Sequence, residues 1–105
     1  MDAVTAVSGS GPAYIFLLAE CMARAGVTAG LPAELAQKLA RATVAGSGEL
    51  LHRSPLPAAT LRENVTSPGG TTAAALGVLM GQDGLEALMT RAIDAATRRS
   101  RQLAG

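Results

Sequence analysis

Tryptophan is absent from this chain of 105 residues, and phenylalanine, tyrosine, histidine, lysine and cysteine occur once each. A single cysteine excludes an intrachain disulfide, and Cys21, set in an apolar stretch, reads as a small buried hydrophobe rather than a nucleophile. The lone histidine, His52, falls on a polar helical stripe, where a solvated side chain is expected rather than a base or a ligand; no metal site is apparent. Lys38, the only lysine, sits mid-helix on a polar face. Charge of either sign is also scarce: the formal net charge is +1, too little for a long-range field, which argues against nucleic acid and anionic membrane surfaces as partners. The longest apolar run, Ala13 to Ala19, stops at Glu20, well short of the roughly 20 residues that span a bilayer. No signal peptide is visible, and a cytoplasmic location fits.

Small apolar residues fill the space that aromatics leave. Hydrophobic residues make up 49% of the chain, mostly Ala, Leu, Val and Met, which let helices approach closely but bury little area each. A chain this short is marginal at covering its own core, so a partner subunit is expected. The punctuation divides the sequence into about five helices, an all-α bundle without strand-like alternation. Gly9-Ser10-Gly11-Pro12 opens the first, with Ile15, Leu18, Ala19 and Met22 on one face, a Glu20–Arg24 pair on another and Gly26 as a stop. Gly30-Leu31-Pro32 starts the second, with Leu35, Leu39, Ala42, Gly46 and Leu50 as its apolar stripe. Gly46 and Gly48 each cost about 1 kcal/mol relative to Ala inside a helix, which implies close approach of another backbone. After Ser54-Pro55-Leu56-Pro57, Ala58 to Val65 forms a short helix, and a fourth runs from about Thr71 to Met80. Asp83 and Glu86 have capping-box spacing for the last, with Leu85, Leu88, Met89, Ala92 and Ala96 inward and Arg98, Arg99 and Arg101 at a solvated end.

Chemistry concentrates in Thr66-Ser67-Pro68-Gly69-Gly70-Thr71-Thr72. Proline and paired glycines shape a turn, the glycines lack a Cβ that would hold a ligand off the backbone, and the first N–H groups of the next helix have no intrahelical acceptor. With the helix dipole added, a carboxylate or phosphate can bind there without a Lys or Arg. The same residues also suit a plain tight turn with an N-cap. Elsewhere the candidates are thin. Ser8 and Ser10 stand in a Gly-rich turn with no His or Lys spaced to activate them, and Glu20, Glu63 and Asp94 are scattered singly. Tyr14 and Phe16 suit core packing better than a ligand wall. Neither Gly9-Ser10-Gly11 nor Gly46-Ser47-Gly48 is a dinucleotide fingerprint, because Tyr14 and Leu51 stand where a third glycine belongs and no strand precedes.

Two motifs, Asp2-Ala3-Val4-Thr5-Ala6-Val7-Ser8-Gly9-Ser10-Gly11-Pro12-Ala13-Tyr14 and Val65-Thr66-Ser67-Pro68-Gly69-Gly70-Thr71-Thr72, are separated by a helical spacer. Together with Gly30-Leu31-Pro32 and Ala95-Ala96-Thr97-Arg98-Arg99-Ser100, they give the chain a resemblance to the C-terminal half of pyrroline-5-carboxylate reductase. The resemblance covers essentially all of residues 1–105 and departs only in small ways, such as an extra residue near Ala58-Ala59-Thr60. It implies an all-helical dimerisation and substrate-site domain, interlocked with a second copy as a homodimer that assembles further in many members. A dinucleotide-binding domain, absent from this chain, is expected to precede it in a longer protein.

The activity implied is the last step of proline biosynthesis, reduction of the C=N bond of 1-pyrroline-5-carboxylate to L-proline with NADPH or NADH. By the same resemblance, Gly69, Gly70 and Thr71 hold the substrate carboxylate through backbone N–H groups, and Ser67 adds a contact. The Thr72 hydroxyl meets the ring nitrogen as the catalytic residue, and Ser8 and Ser10 lie toward the nicotinamide as cofactor-side residues. The fragment alone is expected to bind no cofactor and to be inactive. Two other readings stay open. A free-standing helical interaction module accounts for the Ala/Leu stripes but not for the Thr66 to Thr72 turn. The helical domain of another dinucleotide-dependent dehydrogenase would need a lysine proton donor, which Lys38 is not placed to supply.

Overall fold

The computed structural model describes all of Met1–Gly105 and is 79% helical with no strands. In chain order it has α1 (Asp2–Val4), a π-helical turn (Thr5–Gly9), α2 (Gly11–Thr28), α3 (Ala33–Arg53), α4 (Ala58–Asn64), α5 (Thr71–Leu79) and α6 (Leu85–Ala104). The five longer helices are the ones the punctuation anticipates. The chain forms two compact units, Gly11–Pro55 and the combination of Met1–Ser10 with Leu56–Gly105.

The first unit is a hairpin of α2 and α3. The stop at the end of α2 is Gly30, not Gly26. Gly30 has φ +114°, its N–H donates to Val27 O at 3.0 Å, and Leu31 N–H donates to Gly26 O at 3.0 Å. This pair of bonds closes a helix through a left-handed residue, which only glycine adopts cheaply. Gly26 has a different duty. A Cβ there would lie 3.3 Å from Ala36 Cβ and 3.4 Å from Leu31 Cδ1, so its bare backbone is what lets α3 come close. Ala36 and Ala40, one turn apart, are the buried residues of α3. The expected stripe lies on another face: Leu35, Leu39 and Leu50 are exposed. Small side chains win the contact because they bring two backbones together, and the larger ones are left facing away. Gly46 and Gly48 have open space where a side chain would point, so the close approach their presence implies is not made within the chain. Cys21 is exposed rather than buried, as is Phe16 at 73%, while Tyr14 is half-buried. Ion pairs Glu20–Arg24 (2.8 Å), Glu34–Lys38 (3.9 Å) and Glu49–Arg53 decorate the outside at i,i+4 spacing, and His52 is exposed beside them.

The second unit contains the turn of interest. Its helical structure starts earlier than the Gly9-Ser10-Gly11-Pro12 signal suggests, because Asp2 to Gly9 is already helical and passes through a π turn closed by Ser10 N–H to Thr5 O at 2.9 Å. Ala6 is fully buried where this turn packs on α6. Ser100 Oγ donates to Asp2 Oδ1 at 2.7 Å and Arg101 Nε lies 3.8 Å from Asp2 Oδ2. An acid in the first turn of one helix thus meets a cation in the last turn of another, both favoured by the dipoles they sit on. The arginines at the end of α6 are exposed, as expected, and each also has a partner: Arg101 with Asp2, Arg98 with Asp94 and Arg99 with Gln102. Along α6, Met89 and Ala96 are half-buried as expected, but Leu85, Leu88 and Ala92 are exposed, and Ile93 and Thr97 take the inner positions. The capping box does not form. Gly84, not Asp83, is the N-cap, and no side chain caps the helix. A Cβ on Gly84 would stand 2.1 Å from Leu79 O, so the tight link from α5 to α6 demands glycine at that position and moves the cap there.

Helix continuity also changes the reading of the apolar run. The helical stretch Asp2–Thr28, 27 residues long, contains an 18-residue window with a mean hydropathy of 1.2 and is long and apolar enough to cross a membrane by length and composition. Counting uninterrupted apolar residues misses this, because a helix carries Ser, Gly and one or two charges without ending.

Candidate functional site: the turn at the start of α5

Pro68 and Gly69 make the turn by different means. The bond from Gly70 N–H to Ser67 O, 3.1 Å, closes a four-residue turn over Ser67–Gly70, and Gly69 has φ +72°. Proline at the second position with a left-handed glycine at the third is the signature of a type II turn. The turn delivers the chain to Gly70, the N-cap of α5 in an extended conformation, and Gly70 O accepts the first helical bond from Ala74 N–H at 3.1 Å. On the other side, Thr66 is tied back to α4: its N–H donates to Glu63 O at 3.0 Å and its hydroxyl to Arg62 O at 2.6 Å.

This arrangement sets which donors are open. Thr71, Thr72 and Ala73 are the first three helical residues, whose N–H groups precede the first intrahelical bond, and no side chain caps them. Gly70 N–H, expected among the ligand donors, is instead consumed by the turn. Ala73 takes its place, a position visible in the sequence only once the N-cap is fixed at Gly70. Gly69 contributes shape, since its left-handed backbone is what turns the chain. Ser67, Gly69, Thr71 and Thr72 are exposed and Gly70 half-buried, so the segment is open to a ligand in this chain. Ser67, Gly69, Gly70, Thr71 and Thr72 thus come together as one continuous element. Ser8 and Ser10 lie elsewhere, on and just after the π turn. Ser8 is exposed with its hydroxyl donated to Val4 O at 2.9 Å, and Ser10 is half-buried. No hydrogen bond joins either serine to the turn. No group of three or more His, Cys, Asp or Glu side chains gathers anywhere in the chain to hold a metal ion.

Residues 1–103 match the protein family described as pyrroline-5-carboxylate reductase dimerisation. The chain belongs to that family. Among the reductases it resembles, one from Synechocystis is 50% identical over 103 residues, covering 98% of this chain and 38% of that protein. One from Arabidopsis thaliana is 48% identical over 102 residues, covering 97% and 37%. The crystal structure of pyrroline carboxylate reductase from Plasmodium falciparum with NADP bound superposes with a TM-score of 0.91 at 38% identity, over all of this chain and 40% of that one. The chain therefore spans well under half the length of the reductases it matches. As a member of the dimerisation family it carries the turn and the helices, and its large apolar side chains have reason to be bare. The hairpin also carries a groove of about 720 Å³ of mixed lining, with Ile15, Phe16 and Val44 beside Glu20, Arg24 and Arg41.

Proposed function

We propose that this chain is the dimerisation and substrate-site part of a cytoplasmic pyrroline-5-carboxylate reductase, which reduces 1-pyrroline-5-carboxylate to L-proline with NADPH or NADH and works as a homodimer or an assembly of dimers. The observation that carries this reading is the uncapped start of α5 behind a type II turn, in a chain of the reductase dimerisation family. The substrate has two polar groups to be held, a carboxylate and a ring nitrogen. The N–H groups of Thr71, Thr72 and Ala73 converge with the positive end of the α5 dipole, which suits the carboxylate without a cationic side chain. Fixing it there orients the ring, and orientation is a large part of what a two-substrate reaction needs.

Thr72 is assigned to the nitrogen. A hydroxyl is both acceptor and donor, so it can accept from the N–H of the protonated imine and donate to the lone pair that appears on the amine once the neighbouring carbon has been reduced. A hydroxyl held there follows the change of charge at the nitrogen. Ser67 adds a contact to the carboxylate, and Ser8 and Ser10 are assigned to the nicotinamide side.

NAD(P)H supplies the hydride. These residues do not form a site for it, since the Gly-rich turns lack a preceding strand and a third glycine, and in this reading another domain of the longer protein holds it. The helix Asp2–Thr28, although apolar enough for a bilayer, buries its exposed face against a second copy in this assignment.

The test uses the complete protein that carries this chain. It is expected to oxidise NADPH or NADH in the presence of 1-pyrroline-5-carboxylate, whereas titration calorimetry on residues 1–105 alone is expected to detect no cofactor binding. A complete protein that leaves the imine unreduced overturns the proposal, and tight cofactor binding by residues 1–105 overturns the division of labour.

A further inference from the structure

We infer that Thr66 is a positioning residue for the anion-binding turn, acting through α4 and not by touching the ligand. The inference rests on the reading of the turn given above. Between Arg62 and Gly69, Thr66 is the one residue that is not exposed. Its side chain and its backbone both reach back to α4, hydroxyl to Arg62 O at 2.6 Å and N–H to Glu63 O at 3.0 Å. The following residue, Ser67, supplies the carbonyl that receives Gly70 N–H at 3.1 Å, and Gly70 supplies the carbonyl that starts α5. A run of hydrogen bonds therefore passes from the last turn of α4, through Thr66, to the N-cap of α5.

Ser67, Pro68 and Gly69 have no side-chain anchor of their own in this run. The Thr66 hydroxyl is the only side-chain bond that ties the turn to a helix. Without it the turn is tied to α4 by backbone bonds alone, Val65 N–H to Arg62 O at 3.3 Å and Thr66 N–H to Glu63 O at 3.0 Å, and the donors at Thr71, Thr72 and Ala73 lose part of their fixed direction. Ligand binding must then supply the ordering that the hydroxyl supplied beforehand. The loss appears in substrate binding, because the turn reorganises once the carboxylate is seated and Thr72 still reaches the nitrogen.

The experiment compares Thr66→Val, which keeps the branched shape, with Thr66→Ser, which keeps the hydroxyl, in the complete protein with 1-pyrroline-5-carboxylate. Thr66→Val is expected to raise KM for the imine about three- to tenfold, the span of one hydrogen bond, with kcat and the KM for NADPH within about twofold of normal. Thr66→Ser is expected to restore KM. A merely structural hydroxyl would lower Tm in Thr66→Val while leaving KM unchanged, and that result overturns the inference. So does an equal fall in kcat, which would mean contact with the reacting ring, or a Ser variant as impaired as Val. If the unsubstituted protein does not reduce the imine at all, the functional reading fails and this inference fails with it; normal turnover with a silent Thr66→Val removes this inference alone.

Discussion

The hairpin Gly11–Pro55 and the unit formed by Met1–Ser10 with Leu56–Gly105 each use a left-handed glycine in a turn, Gly30 and Gly69, and differ at Gly84 on one side and Gly46 and Gly48 on the other. In the second unit, glycines are bound to local geometry: Gly69 must be left-handed, and Gly84 has a carbonyl where a Cβ would go. In the hairpin, Gly46 and Gly48 face open space, and the large side chains around them, Leu39 and Leu50 among others, are exposed. The second unit therefore builds a defined polar element out of its own chain. The hairpin closes on alanines and leaves its large apolar side chains exposed, and the second unit leaves Val78, Met80 and Leu88 exposed as well, as befits a member of a dimerisation family.

Substitutions can break this comparison. Gly84→Ala is expected to have the largest effect, because the added carbon would stand 2.1 Å from Leu79 O and the α5–α6 link must shift. A loss of about 3 kcal/mol, read as a lowered urea midpoint, corresponds to overpacking at a rigid backbone. A midpoint within error of normal would show the link to be pliable.

Next comes Thr72→Val in the complete protein, expected to lower kcat/KM for the imine by a factor equivalent to about 1.5–3 kcal/mol while dimerisation and cofactor affinity hold. Thr71→Val is the control and should change little. Equal losses at both positions would mean that the start of α5 had been disturbed generally.

Gly46→Ala sharpens the comparison most directly. In a solvated helix it should stabilise by about 1 kcal/mol. On a face that another chain approaches closely it should instead weaken association, and we expect the weakened association, read by light scattering across a dilution series. The unsubstituted chain is expected to be at least dimeric in the same measurement; a well-folded monomer at micromolar concentration would contradict the account of the hairpin.

The smallest effect is expected from Glu20→Gln, which breaks the exposed Glu20–Arg24 pair. Such a pair contributes about 0.2–0.5 kcal/mol, and salt should erase the difference. A larger, salt-resistant loss would place Glu20 against a partner chain.

Much of this was legible in the residues. Helix positions followed from Gly and Pro punctuation, and the Pro68-Gly69 pair announced its turn, because backbone conformations that only glycine or proline favours leave a mark in composition. Which face of α3 packs was not legible: hydrophobicity points to Leu35 and Leu39, while close packing selected Ala36 and Ala40. Cys21 was misplaced for the same reason, since apolar neighbours in a dimerisation domain need not be covered by their own chain. The capping box at Asp83 failed because α6 takes Gly84 as its N-cap, at a position where the link from α5 leaves no room for a Cβ, and no spacing rule contains that.

The sequence alone determined the all-α class, the boundaries of α2 to α6 to within a few residues though not the helical start at Asp2, and the identity of the turn, because these depend on local φ preferences and on short ordered strings of residues. Only the tertiary structure decided which N–H groups are open, since that required knowing that Gly70 gives its own to Ser67 and caps α5. It alone also decided that three alanines, Ala6, Ala36 and Ala40, form the buried core, because burial is settled by how closely two helices approach and not by how apolar each one is.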